Sequence, residues 1–296
     1  MIVRYYKEWN FVMKNRTFLF VVSKNCAKNA LRPLIDFARA KEIHLAVLVL
    51  GTAPRVPIYS ADFSPYTAAF HPDEWQREFL AENEALSAKA QEFESLLQSE
   101  AISGDVTVAN CEPSLIPDTV ARRAMVCDLV IVSDELRSAG SLFSQAIYGV
   151  LFGSPIAVLL NGFQTAAAVK AKNVFIAWNT GLSCARAIQQ AMPILRNAEE
   201  VTIGIFDPVM TALRDGENPG SDLAMWLSRH SCNVQVNQYP SGGNEIGDCI
   251  IGCAKETGAD LVVMGAYGHS RMREDIFGGT TRTLIEQQEL AVLLAH

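Results

Sequence analysis

The chain has 296 residues, of which 49% are hydrophobic and 19% charged, and its net charge is −7. This balance is typical of a globular protein with a sizeable core and excludes a disordered chain. The negative charge argues against a general nucleic-acid-binding or anionic-membrane-binding protein, because both need a basic face. A prior of one domain per roughly 150 residues predicts two domains.

The first half of the chain alternates short apolar runs with helical patterns. Residues 17–23 predict a buried strand, and Asn25 is expected to cap a helix that extends to Lys41. A loop at 51–72 contains four prolines and several aromatic residues, and it has the length of functional or interface loops. Its aromatic side chains could cover a partner surface; the alternative is a loop folded on its own aromatic residues. The other predicted elements are strands at 44–50, 105–109, 128–132 and 156–160, and helices at 73–99 and 114–126.

Residues 161–172 predict a linker, after which the same order of elements begins again. Strands are predicted at 173–178, 200–206, 234–237, 261–264 and 290–294, and helices at 183–196, 222–230, 244–257 and 282–288, with Ser183 and Asn244 as caps. Similar segments support an internal duplication, since DLVIV at 128 matches DLVVM at 260 and IAVLL at 156 matches LAVLL at 290. Alternating strands and helices predict parallel α/β layers.

The most informative stretch follows the strand predicted at 261–264. That strand ends at Gly265, Gly268 comes three residues later, and the run Gly278-Gly279-Thr280-Thr281 leads into a helix. Glycines let backbone N–H groups approach an oxyanion, and the first turn of a helix favours negative charge. We interpret the stretch as a phosphate-binding loop; the alternative is a glycine turn before a capped helix. It is neither a Walker loop nor the dinucleotide-binding fingerprint.

The stretch resembles the nucleotide-binding motif of the universal stress protein family, Gly-x2-Gly-x9-Gly-Ser/Thr. Gly265, Gly268 and Gly278 match the motif glycines, Gly279 stands where the family usually has Ser or Thr, and Thr280 or Thr281 offers a neighbouring hydroxyl. The resemblance extends over both halves, as in tandem members of the family. It implies two doubly wound five-stranded α/β domains of the adenine nucleotide alpha hydrolase-like type, at 1–162 and 172–296. These would pair through their last strands as an intramolecular pseudo-dimer.

The same resemblance implies that ATP, ADP or AMP binds in the second half, with or without Mg²⁺. Ala177 would border the base, and Asn179 takes the position where the family commonly has an Asp that contacts the ribose or base. The backbone of Phe206 matches the position that recognises adenine. His269 and Arg271 are candidates for charge-assisted contacts to phosphate. The alternatives are a turn residue at 179 and exposed loop residues at 269 and 271.

The corresponding stretch of the first half lacks the glycines. Ser133 and Leu136 stand at the first two glycine positions, and Asp134 and Glu135 are placed where phosphates would approach. Carboxylates repel phosphate, so we expect the first half to have lost nucleotide binding and to act as a structural or partner-binding half.

Other functional classes have little support in the sequence. The seven cysteines form no Cys-x-x-Cys and the five histidines no His-x-x-x-His, so we expect buried thiols and no metal site. No apolar run reaches the roughly 18 residues that span a bilayer, and the start of the chain does not read as a signal peptide, which indicates a cytoplasmic protein. Met13 is a candidate alternative start.

The sequence therefore predicts a stress-response protein that binds an adenine nucleotide and acts as a binding or signalling module. Residues for catalysis are not evident, so enzymatic activity would be at most the slow ATP hydrolysis known in the family. One alternative is an interaction scaffold that binds a protein partner and no nucleotide. The protein partner and any further association of two chains stay open.

Overall fold

The computed structural model describes residues 14–54, 72–162, 170–211, 215–266 and 279–296. Within this part of the chain ten strands alternate with eight α-helices. The strands are β1 Thr17–Val22, β2 His44–Thr52, β3 Gly104–Cys111, β4 Leu129–Val132, β5 Val158–Leu160, β6 Asn173–Ala177, β7 Glu200–Phe206, β8 Val234–Tyr239, β9 Leu261–Gly265 and β10 Ala291–Ala295. The helices are α1 Arg32–Lys41, α2 Pro72–Ser99, α3 Ile116–Ala124, α4 Leu142–Gly153, α5 Leu182–Leu195, α6 Ser221–Arg229, α7 Ile246–Glu256 and α8 Gly279–Glu286.

All ten strands belong to one sheet, in the order β3-β2-β1-β4-β5-β10-β9-β6-β7-β8. Each half, β1–β5 and β6–β10, therefore repeats the same strand order, 3-2-1-4-5. Neighbouring strands within a half run parallel, as the alternation of strands and helices predicts. The predicted α/β fold class with two doubly wound halves is confirmed.

The two halves meet where β5 pairs with β10 in an antiparallel register. Val292 lies opposite Leu160, and Leu294 lies opposite Val158. These apolar side chains are completely buried, because helices cover both faces of the sheet at the junction. The implied pairing through the last strands is thus confirmed.

Alternate strand residues point to opposite faces of the sheet and enter two separate cores. One core holds Phe18, Phe20 and Val263 under α1, α2, α5 and α6. The other holds Leu19, Val21 and Val262 under α3, α4, α7 and α8. Strands with both faces buried have continuous apolar sequences, which explains why these strands could be predicted from the sequence.

The predicted helix caps are wrong. The side chain of Asn25 caps no helix, because α1 begins only after a 3-10 turn at Lys28–Leu31, with Pro33 in its first turn. The N-cap of α5 is Gly181, and Ser183 is buried within the first turn. The side chain of Asn244 instead donates to the carbonyl oxygen of Ser241, at 3.0 Å.

One helix, α4, was absent from the sequence-based prediction. Its sequence, LFSQAIYGVLFG, is apolar on nearly every side, so it lacks the amphipathic period that identifies a surface helix. A Cβ on Gly149 would lie 2.3 Å from the carbonyl oxygen of Pro117, so glycine lets α4 approach α3 closely. α8 also begins at Gly279, three residues before the predicted start.

The prediction for the 51–72 loop lies mostly outside the described residues. None of the helices in the described ranges has the length and apolar character needed to cross a bilayer.

Candidate functional site

A cavity of about 340 Å³ opens at the carboxyl ends of β6, β7 and β9. The helix α5, which follows β6, covers one face of the sheet, whereas α7 and α8 cover the other. The helices that follow β6 and β9, α5 and α8, therefore lie on opposite faces, as expected at the switch point of an open α/β sheet, where a crevice forms. Ligands of doubly wound folds characteristically bind in this crevice. The cavity is lined by Ala177, Trp178, Asn179, Cys184, Phe206, Ile246, Ile250, Met264, Gly265, Thr280 and Thr281.

The fold brings together six of the predicted site residues at this cavity: Ala177, Asn179, Phe206, Gly265, Thr280 and Thr281. They come from three strand ends and the first turn of α8. Gly279 begins α8 but does not line the cavity. The remaining predicted residues, Gly268, His269, Arg271 and Gly278, lie outside the described residues.

Sequence reasoning missed five lining residues: Trp178, Cys184, Ile246, Ile250 and Met264. Ile246 and Ile250 are four apart on α7 and share a helix face, so an amphipathic pattern was available to find them. Met264 precedes Gly265 at the end of β9. Cys184 carried no signal, since only the packing of α5 against β9 brings it to the cavity.

The described lining is apolar at its base and carries no charged side chain. Ala177, Cys184, Ile250 and Met264 are each at most 7% exposed. The Cys184 thiol donates to the carbonyl oxygen of Ala177 at 3.4 Å, and burial raises the pKa of this thiol, which keeps it neutral. The ring of Phe206 stacks on Tyr239 with centroids 5.4 Å apart. Such a lining suits a flat, uncharged ring system.

Gly265 has a packing role that the motif did not indicate. A Cβ at this position would lie 2.3 Å from the backbone nitrogen of Cys184 and 2.6 Å from the carbonyl carbon of Ser183. The end of β9 and the first turn of α5 therefore touch directly, which only glycine allows. Gly265 therefore shapes the cavity wall, and this packing role does not depend on contact with a ligand.

The first half holds a different arrangement at the corresponding place. Phe18 pairs with Leu129 as Val174 pairs with Leu261, which places Ser23 where the second half has Asn179. The carboxylate of Glu135 accepts hydrogen bonds from the backbone nitrogen and the hydroxyl of Ser23, both at 2.6 Å. The backbone N–H and the hydroxyl of Ser23, at the place that corresponds to the cavity, are thus both bonded to the carboxylate of Glu135.

Beside this carboxylate lies the buried thiol of Cys26. Burial, followed by the charge of Glu135, raises its pKa from 9.0 to about 11. A thiol whose folded pKa exceeds its unfolded value contributes stability that is complete below pH 9 and is lost as the pH rises towards 11. All seven cysteines are free; Cys26, Cys127, Cys184 and Cys232 are buried, as expected, whereas Cys111, Cys249 and Cys253 are only partly buried.

We expect the free energy of unfolding to fall between pH 9 and 11 by on the order of 2 kcal/mol more in the wild type than in Cys26→Ala. Urea denaturation at several pH values in this range measures the difference. Cys111→Ala, which removes a partly exposed thiol at the end of β3, serves as the control and should retain the wild-type slope. Parallel slopes in the wild type and Cys26→Ala would contradict the expectation.

At the opposite edge of the sheet, the fold aligns a serine, a histidine and an aspartate that no sequence motif had indicated. The His44 ring contacts the Ser103 hydroxyl through Nδ1 and the Asp105 carboxylate through Nε2, each at 2.9 Å. Arg123 holds the other carboxylate oxygen. The side chains of His44 and Asp105 are 38% and 44% exposed, so water screens the row. We interpret it as a clamp that fastens the edge strand β3 to β2.

No group of three or more potential metal ligands occurs among the described His, Cys, Asp and Glu residues. A second cavity, of about 270 Å³, lies between the halves near the amino ends of β1 and β4. Its charged lining residues, Arg16 and Asp128, form an ion pair with each other. It contains none of the predicted site residues.

Comparison with solved structures agrees with this architecture. A universal stress protein from Archaeoglobus fulgidus DSM 4304 is similar over 96% of this chain and 97% of its own, with a TM-score of 0.65 and 13% identity. A candidate universal stress protein from Pseudomonas aeruginosa UCBPP-PA14 matches over 96% and 94%, with a TM-score of 0.52 and 17% identity. A functionally unknown protein from P. aeruginosa PAO1 matches over 97% and 94%, with a TM-score of 0.51 and 16% identity.

No protein-family model matches the sequence, and no curated protein sequence matches it. At 13–17% identity the structural likeness establishes the fold. The chain therefore has the fold of universal stress proteins, and it carries a cavity at the switch point of its second half. The resemblance seen in the glycine motif and the likeness of the whole fold agree.

Proposed function

We propose that the protein is a stress-response protein that binds an adenine nucleotide in the cavity of its second half and acts as a binding or signalling module. The observation that carries the proposal is the convergence of six predicted site residues on one cavity at the switch point. Residues that are up to 104 positions apart in sequence, from Ala177 to Thr281, meet there.

The character of the cavity supports this ligand class. Its volume of about 340 Å³ lies at the lower end of the range for small-molecule sites. Ala177, Met264 and Ile250 offer a buried apolar surface for a base, and Phe206 lies beside them at the end of β7. Thr280 and Thr281 in the first turn of α8 line the cavity, and the amino end of a helix favours the negative charge of a phosphate.

The ligand would be ATP, ADP or AMP, with or without Mg²⁺. The lining residues in the described part lack a cationic side chain, so His269 and Arg271 are the proposed cations for the phosphates. The described residues that line the cavity include no carboxylate or imidazole that could act as a general base. We therefore propose binding, and at most slow ATP hydrolysis, in a cytoplasmic setting.

We expect saturating ATP, ADP or AMP to raise the melting temperature by several degrees, since a ligand at about 100 times its Kd stabilises the native state by about 2.7 kcal/mol. The measurement is a thermal-shift titration with each nucleotide, with and without Mg²⁺. In Gly268→Asp the added carboxylate is expected to repel the phosphates and to abolish the rise.

The control is the same substitution in the first half, Gly140→Asp. Gly140 has a φ of +63° and no atom within 4 Å of an added Cβ, and aspartate tolerates this conformation. Gly140→Asp should therefore respond to nucleotide as the wild type does. A flat response of the wild type at millimolar nucleotide would overturn the proposal. That result would favour a scaffold that binds a protein partner. Such a function is consistent with the first half, where the Glu135 carboxylate bonds Ser23 at the position that corresponds to the cavity.

A further inference from the structure

A single arginine side chain reaches from the first half into the second. Arg137 lies in the 3-10 turn Asp134–Ser138 that follows β4. Its Nη1 donates to the carbonyl oxygen of Ile285 at 2.7 Å, and its Nη2 donates to Oδ1 of Asn161 at 2.7 Å. The guanidinium lies 4.0 Å from the centroid of the Phe143 ring, and the side chain is only 16% exposed. The contact is therefore well shielded from water.

Asn161, just after β5, extends this contact. Its side-chain nitrogen donates to the carbonyl oxygens of Gln287 at 2.8 Å and Leu290 at 3.1 Å. Together Arg137 and Asn161 hold the segment that links α8 to β10. The last carbonyl groups of a helix lack partners within the helix and carry partial negative charge, so a cation at this end is favourable.

The opposite end of α8 forms part of the candidate site. α8 has only eight residues, Gly279–Glu286, and a length of about 12 Å. Thr280 and Thr281 in its first turn line the cavity. A helix of two turns moves as one body, so an interaction that holds its last turn also sets the position of its first turn.

We propose that Arg137 is a positioning residue for the ligand cavity: the first half fixes α8 from its carboxyl end and so sets where the first turn of α8 meets a ligand. The proposal rests on the proposed nucleotide binding for its functional part. The first half, in which the Glu135 carboxylate fills the position that corresponds to the cavity, would thereby contribute to ligand binding in the second half.

The test compares Arg137→Met with Arg39→Met in the full chain. Arg39 also bonds a carbonyl just past a helix end, since its Nη2 donates to the backbone oxygen of Glu100 at 3.1 Å. That contact lies within the first half, so Arg39→Met removes the same type of bond without touching α8. Two properties are measured: hydrogen exchange of the α8 amides without ligand, relative to those of α5, and the Kd for ATP by calorimetry.

In Arg137→Met we expect α8 to exchange about tenfold faster relative to α5 and the Kd for ATP to rise roughly fivefold. Arg39→Met should change neither ratio. Arg137→Lys, which keeps the charge but not the two-pronged geometry, should give intermediate values and guards against failure of the methionine variant to fold.

Unchanged relative exchange in Arg137→Met, or an equal change in Arg39→Met, would overturn the positioning role. Faster α8 exchange with an unaltered Kd would also overturn it, because the first turn would then not depend on Arg137. Absence of ATP binding by the wild type would instead contradict the proposed function, and the exchange data alone would then decide whether Arg137 positions α8.

Discussion

Replacement of Gly265 by alanine is expected to lower the free energy of unfolding by about 3 kcal/mol and to abolish the proposed nucleotide binding in the second half. The added methyl group would lie 2.3 Å from the backbone nitrogen of Cys184. A side-chain neighbour could change its rotamer, but this neighbour is backbone in the first turn of α5. Relief therefore requires α5 to move away from β9, which distorts the cavity that both elements line.

Urea denaturation measures the loss of stability, and nucleotide titration measures the loss of binding. The control is Gly252→Ala on α7, where no atom lies within 4 Å of the new Cβ and alanine is the better helix former by about 1 kcal/mol. This control should equal or exceed the wild type in stability. Gly265→Ala with wild-type stability would show that α5 and β9 are not in the close contact described above.

The packing of the first half explains why position 133, which corresponds to Gly265 in the second half, can hold a serine. There α1 begins at Arg32, nine residues after Ser23, whereas α5 begins at Leu182, three residues after Asn179. The helix in the first half is set back from the strand end. The Ser133 hydroxyl lies 4.0 Å from the Cys26 thiol.

Substitution of Glu135 by alanine is expected to cost about 3 kcal/mol of folding stability. The carboxylate accepts two hydrogen bonds from Ser23, and a hydrogen bond to a charged group contributes about 1.5–3 kcal/mol. Ser23 is 3% exposed, so its backbone N–H would be left without a partner and without access to bulk water. The free energy of unfolding is measured by urea denaturation.

A double-mutant cycle with Ser23→Ala isolates the hydroxyl contact from the backbone contact. We expect a coupling energy of roughly 1 kcal/mol between Ser23 and Glu135, since the backbone bond persists in Ser23→Ala. Additive effects of the two substitutions would exclude a direct bond between the side chains.

The fold was predictable because buried parallel strands appear as short apolar runs between helical patterns, as at 261–264. Local rules failed where a neighbour in space decides the structure. α4 has no amphipathic period because it is covered on most sides, and Ser183 is buried in the first turn of α5 rather than capping it. The part of the cavity lining at strand ends, such as Ala177 and Gly265, could be predicted from the sequence. The places of Cys184 and Arg137 could not, because they depend on the packing of one element against another.

The short antiparallel seam between β5 and β10 affects how the halves stay together. Produced separately, either half would present an apolar strand with an unpaired edge, which invites self-association. Within one polypeptide the partner strand is always present at a high effective concentration. The association of the two halves therefore does not depend on protein concentration, whereas the association of two separate chains into a dimer does.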